Sequence, residues 1–312
     1  MEVHRQACFS NFCHSFLSAA MRKRVALAKI GSVEIGKGRH VKVMGIINAS
    51  PESFFKGSVR TGFDEVAQAA REMQGAGAHV IDIGAMSTAP YLDTIIPVEE
   101  EIRRLKAAME AAKSACSLPI SVDTPRAEVA EAATKLGADA INDVTGLKYD
   151  RRMAQVVAKA GLPVIIGAYS RTPASGRVAG TVRALKESIA LAKKAGVRKE
   201  MMLVDPSIGF FRAEGKNPFF TKLADGDKTP WYSRDLEVLS SLYKLAALAP
   251  VCVSVSRKSF IGHLLNLPAA EQRMVPSVAC EVVAAINGAS LVRTHSVKET
   301  VQALTMLELL RR

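Results

Sequence analysis

The chain has 312 residues, 48% of them hydrophobic and 23% charged, with a formal net charge of +12. That length suits one large α/β domain with a sizeable core, and the absence of a run of about 18 consecutive apolar residues excludes a helical membrane span. The basic residues are spread over helical stretches (Lys186, Lys193, Lys194, Arg198, Lys199) without interleaved aromatics, which argues against nucleic-acid binding and for an attraction to phosphorylated metabolites.

Residues 1–20 lack a real apolar core for a signal peptide. They are expected to be a disordered tail, or to lie upstream of the true start at Met21. His4, Cys8, Cys13 and His14 fall there, and their spacing fits no usual zinc site. The five cysteines include no Cys-x-x-Cys pair, which predicts a reducing, cytoplasmic compartment. Two short strand-like runs, 25–30 and 32–35, then predict a small hairpin.

From Val41 onward a strand–helix unit recurs. The spacing predicts strands over 41–47, 79–83, 119–122, 138–143, 163–168, 201–205, 251–255 and 290–294. They are continuous apolar runs, as expected for parallel strands covered on both faces. Helices are predicted over 64–76, 98–115, 126–136, 151–160, 182–195, 234–247, 277–287 and 298–310. Gly77, Gly137, Gly161 and Gly288 follow helices at the position that favours a left-handed residue. Eight such units predict a (β/α)8 TIM barrel occupying residues 21–312, with the hairpin ahead of it. No Gly-x-Gly-x-x-Gly follows the first long strand, which weakens a doubly wound dinucleotide fold.

The apolar stretches run into Asn48, Asp82, Asp123, Asn142, Tyr169, Asp205, Lys258 and His295. In a parallel barrel these ends share one rim. Two carboxylates there, Asp123 and Asp205, serve as an acid/base pair, as metal ligands or as acceptors for an NH-rich ring. Asn142 and Lys258 favour the last, because they supply the complementary donors. Structural capping of the following turns is the alternative. Arg293 and His295 lie two apart on the last strand and point the same way, a ready anion site. Ser259 is predicted to cap a short helix from Phe260, and the polar turn after Asn48 suits a hydrated magnesium. Two long loops, 48–62 and 206–233, are expected to be binding loops.

The segments MGIINASPESF, HVIDIGAMSTAP, ISVDT, GADAINDVTG, VDPSIGF, VSVSRKSFIG and VRTHSV, in that order across about residues 41–300, resemble the dihydropteroate synthase family of pterin-binding barrels. The resemblance implies a transferase that joins 6-hydroxymethyl-7,8-dihydropterin diphosphate to an arylamine and releases diphosphate. It implies a pterin grip at Asp123, Asn142, Asp205 and Lys258, with substrate-binding residues also at Asp82, Thr88, Gly209, Phe210 and Ser259. It implies diphosphate contacts and catalytic roles at Asn48 (with Mg2+), Lys258, Arg293 and His295, and a homodimer through the last helices. A pterin-dependent methyltransferase domain and a non-catalytic pterin-binding protein are the alternatives.

Several positions depart from the family pattern. Ala89 stands where the family has arginine, Ser207 where it has glycine, and Phe211-Arg212 where it has Gly-Lys. The fifth barrel strand ends Gly-Ala-Tyr-Ser, and the loop 206–233 is long, aromatic and basic. These features resemble archaeal members, some of which use a ribosyl-phosphate arylamine in methanopterin synthesis. Lys216, Lys222 and Lys228 are then candidates for an acceptor phosphate.

Overall fold

The structure, a computed structural model, describes residues 27–36, 38, 40–52, 55, 57, 59–174, 177–224 and 230–311. The tail, its zinc candidates, Met21 and Lys228 lie outside the described residues. Strands β1 (Leu27–Ile30) and β2 (Val33–Gly36) form an antiparallel hairpin. The barrel strands are β3 (Lys42–Asn48), β4 (Val80–Gly84), β5 (Ile120–Asp123), β6 (Ala140–Asp143), β7 (Val164–Gly167), β8 (Met202–Asp205), β11 (Val251–Val253) and β12 (Ala289–Thr294). They pair in parallel and close, β12 returning to β3. Two short strands, β9 (Phe211–Arg212) and β10 (Thr221–Lys222), pair with each other inside the long loop.

The helices are α1 (Phe63–Gly75), α2 (Val98–Ala115), α3 (Ala127–Lys135), α4 (Met153–Ala160), α5 (Val178–Lys194), α6 (Trp231–Ser240), α7 (Leu242–Ala246), α8 (Ser259–Leu265), α9 (Met274–Ile286) and α10 (Val297–Leu310). Gly77, Gly137, Gly161 and Gly288 have positive φ, as a left-handed helix stop requires. The single helix expected over 234–247 is two. Ser240 turns its hydroxyl onto the Glu237 carbonyl, and Ser241 leaves the helical region at φ −120°. Serine side chains compete with the helix for its own carbonyls.

Alternation sorts each barrel strand into an inner and an outer set. Outward residues such as Ile81, Ile83, Val122 and Ile141 pack under α1–α4. Inward ones at the amino end (Met44, Val80, Ala140, Ile165, Leu203, Cys252 and Leu291) form an apolar floor with Ala28, Ile30 and Ile35 of the hairpin. The hairpin thus plugs the bottom of the barrel. Two residues further along the same inner faces come Ile46, Asp82, Asn142, Asp205, Ser254 and Arg293. The polar layer therefore sits directly on the apolar one, at the carboxyl end.

Candidate active site

At that end a pocket of about 890 Å³, counted to its open mouth, is lined by Asn48, Asp123, Asn142, Asp205, Lys258 and His295 among others. Six of the eight residues expected to converge do so. The other two do not. Asp82 is fully buried beneath the pocket, where its Oδ2 accepts from Arg293 Nε at 2.6 Å and from Asn142 Nδ2 at 3.1 Å. Its place as a substrate contact is corrected to that of a support under Arg293. Tyr169 turns away from the pocket and donates its hydroxyl to the Pro218 carbonyl at 3.1 Å, tying the long loop down.

Arg293 is the centre of the polar layer. Its Nη2 donates to Asp123 Oδ2 at 2.7 Å while Nε holds Asp82. Burial opposes its charge, but the two carboxylates hold it protonated. Contact with an anion falls to the N–H groups that these two bonds leave over, two on Nη1 and one on Nη2. Burial pushes the Asp123 carboxyl up against the pull of that guanidinium, and Asp123 Oδ1 is buried with no hydrogen-bond partner among the described residues. Such a group is costly unless a ligand satisfies it. Burial raises Asp205 as well, opposed by the Ser207 N–H at 2.6 Å from Oδ1. Turn capping and a place in the pocket are therefore compatible for this aspartate.

Lys258 reaches the pocket by a route that the strand pattern misses. Strand β11 stops at Val253, and Lys258 lies beyond a turn in which Arg257 has φ +57°. Lys258 itself is the N-cap of α8, so Ser259, expected to cap that helix, is its first helical residue. The cause is the turn, which delivers Lys258 rather than Ser259 at extended φ, ψ. Burial lowers the Lys258 ammonium to about 8, with Asp205 raising it. Its Nζ lies 4.4 Å from the centroid of the Phe210 ring, a cation–π contact.

His295, paired with Arg293 in the sequence as an anion site, is held neutral by its surroundings. Burial, then the positive fields of Arg293, Arg257 and Lys258, push it well below its ordinary range. At neutral pH it offers a neutral imidazole. Phe55 meets it edge-on at 5.2 Å and stacks over the Arg257 guanidinium at 4.2 Å, which holds the loop after β3 beside the site.

The outer part of the pocket is made of loops. Ser87, Thr88, Ala89, Pro90 and Tyr91 form one wall, and Gly209, Phe210 and Ser259 another. Arg212 donates to the Ser259 hydroxyl at 2.6 Å and to the Gly209 carbonyl at 3.0 Å, with its guanidinium flat on Trp231 at 3.6 Å. Asn217, in the long loop, donates to the Ala89 and Leu92 carbonyls and so locks the two loops together. Lys216 and Lys222 are exposed and line no part of the pocket.

The residues present fit a magnesium ion only as part of a larger set. Among the described residues no three His, Cys, Asp or Glu side chains cluster. Asn48 offers one amide oxygen, and the nearby Asp123 Oδ2 is already engaged by Arg293. Magnesium commonly completes such a shell with water and substrate phosphates.

Comparison with known proteins supplies the family. Residues 44–295 match the profile of pterin binding enzymes. The dihydropteroate synthase of Clostridium beijerinckii is 36% identical over 285 residues, 90% of this chain and 98% of that protein. A Yersinia pestis dihydropteroate synthase solved with a sulfonamide drug superposes with a TM-score of 0.76 at 32% identity, covering 91% of this chain and 98% of that one. A Xanthomonas albilineans dihydropteroate synthase solved with 4-aminobenzoic acid gives 0.75 at 33% identity, covering 92% and 98%. The chain belongs to the pterin-binding enzyme family and is a transferase of the dihydropteroate synthase type.

Proposed function

We propose that the protein condenses 6-hydroxymethyl-7,8-dihydropterin diphosphate with p-aminobenzoate, releasing diphosphate. One observation carries this: Asp123, Asn142, Asp205 and Lys258 surround a single slot beside Arg293 and His295. An aminopyrimidinone edge presents N–H donors to the two carboxylates and acceptors to Lys258 and Asn142. The exocyclic C–O bond breaks, the arylamine nitrogen takes the carbon, and the nitrogen then gives up a proton. The arylamine is neutral at pH 7, so no strong base is required. The remaining N–H groups of Arg293 and a neutral His295 N–H stand where the departing charge develops. Asn48 would hold magnesium, which when bound neutralises the diphosphate.

The acceptor follows from Arg212. It is one guanidinium fixed over the Trp231 ring that donates to Ser259, a residue of the pocket wall. That supports a flat arylamine with one anionic group more than one with a ribosyl phosphate, for which the exposed Lys216 and Lys222 offer no enclosed site. Arg293 and His295 in the same pocket support turnover over a methyl transfer or mere pterin binding. Assays with p-aminobenzoate and with its ribosyl-phosphate relative test this. Diphosphate release with p-aminobenzoate at the higher kcat/KM is expected; a preference for the phosphorylated amine contradicts it.

We also propose a homodimer in the cytoplasm. Helix α9 carries no charged side chain apart from the buried Glu281, and it exposes Val275 and Val283 beside Met306, Leu309 and Leu310 of α10. Free cysteines 116, 252 and 280 suit a reducing compartment. Among the described residues no helix is long and apolar enough to cross a membrane. Sedimentation of the wild type against Val283→Glu tests the dimer; a monomeric wild type rejects it.

A further inference from the structure

The turn that follows Asp205 does not hold its shape by local preference. Ser207 has φ +53° and Gly209 φ +82°, and the first is a conformation that a side chain disfavours. Two adjacent residues at the start of α6 hold it from behind. Arg234 Nη1 donates to the Ser207 carbonyl at 3.0 Å and Nη2 to the Pro206 carbonyl at 2.5 Å. Asp235 Oδ2 accepts the Gly209 N–H at 3.0 Å, and its Oδ1 accepts from Arg234 at 2.9 Å. Thr181 of α5 takes a further bond from Arg234 Nη2 at 2.9 Å, and the Phe211 ring lies 3.9 Å from the guanidinium. Arg234 and Asp235 are each 1% exposed, and neither lines the pocket.

A buried ion pair is a poor way to gain stability, since packed apolar residues do as well. This pair instead spends its directional bonds on three successive parts of one turn. The turn in turn carries Asp205 at one end and Phe210 at the other. The Lys258 stem runs along it, 3.4 Å from where a Cβ on Gly209 would stand. We propose that Arg234 and Asp235 are positioning residues for the pterin side of the pocket, fixing Asp205, Phe210 and Lys258 relative to one another through the Pro206–Gly209 turn. The proposal rests on the reading of that slot as the pterin site.

The test uses the full-length protein, calorimetric binding of 6-hydroxymethylpterin, and steady-state kinetics in both substrates. Asp235→Asn keeps an acceptor for Gly209 but removes the charge that orients Arg234. It is expected to raise the KM for the pterin diphosphate about tenfold or more, while the p-aminobenzoate KM at saturating pterin stays within about twofold. Arg234→Lys keeps the charge without the fork and should fall between wild type and Asp235→Asn. Thr181→Val trims one bond from outside the pair and should give about a threefold rise on the pterin side alone. If Asp235→Asn fails to fold, Thr181→Val decides by the same criterion. Folded variants whose pterin KM stays within twofold of wild type, or whose two KMs rise equally, overturn the proposal. A wild-type protein that binds no pterin would remove the pterin reading itself and this proposal with it.

Discussion

Asp123 and Asp205 end barrel strands, and Asn142 stands one residue before the end of its own. Thr88, Tyr91, Phe210 and Arg212 stand on loops shaped by contacts with other loops. The first group is placed by the register of a closed barrel, in which each strand is fixed by two neighbours. The second is placed by a few side chains, Asn217 to the loop after β4 and Tyr169 to Pro218, while Arg234 with Asp235 holds the Pro206–Gly209 turn that runs from Asp205 of the first group. The inner pocket follows from barrel register, whereas the outer pocket follows from contacts between loops.

That contrast can be broken from the inside out. The largest loss is expected for Lys258→Ala, which removes the ammonium proposed to meet the ring edge. Pterin binding by calorimetry should weaken by at least about a hundredfold, as for loss of a buried charged hydrogen bond. Arg293→Lys comes next. It keeps the charge but cannot bridge Asp82 and Asp123 while still reaching an anion. It should lower kcat by tens of fold, on the scale of a lost electrostatic contact, while the Kd of bare 6-hydroxymethylpterin changes only a few-fold. Equal damage to both would mean that Arg293 serves only the ring.

Arg212→Ala tests the outer pocket. It should raise the p-aminobenzoate KM about tenfold with the pterin KM nearly unchanged. The pH profile sharpens the inner one. Lys258 is lowered to about 8, so kcat/KM for the pterin diphosphate should fall as pH rises through about 8. His295, already neutral, should add no limb between pH 6 and 7.

The smallest effect is on stability alone. Glu281 lies buried behind β12 and accepts from Thr300 at 2.6 Å, and burial raises its carboxyl to about 7. Its folded pKa exceeds the unfolded one, so the protonated form contributes stability that is complete below about pH 4.5 and is lost as pH rises through about 7. Glu281→Gln should therefore raise Tm by a few degrees at pH 8 and leave it nearly unchanged at pH 5. An equal shift at both values would show that the carboxyl stays charged throughout.

Much of the inner pocket was legible in the sequence because barrel strands announce themselves as apolar runs and end at their polar residues. Asn48, Asp123, Asn142 and Asp205 could be placed by that rule alone. The rule failed where an end residue had a partner that the rule cannot see. Asp82 belongs to Arg293, 211 positions away, and Tyr169 to the long loop. Ser259 was misjudged because a left-handed Arg257 shifts the helix start by one residue. The sequence pairs His295 with Arg293 as an anion site but does not show its neutral state, because its three cationic neighbours come together only in space. Arg234 and Asp235 carry no reading in the sequence beyond the start of a predicted helix. The signal available was an opposite-charge doublet opening a helix straight after a long loop, and that pattern is common on surfaces too.

The direct measurement is a crystal structure of this protein with 6-hydroxymethylpterin bound. The account predicts the aminopyrimidinone edge within hydrogen-bond distance of Asp123, Asn142, Asp205 and Lys258, with the hydroxymethyl group directed toward Arg293 and His295. A pterin bound outside that slot, or bound there with its hydroxymethyl group turned away from Arg293, would contradict it.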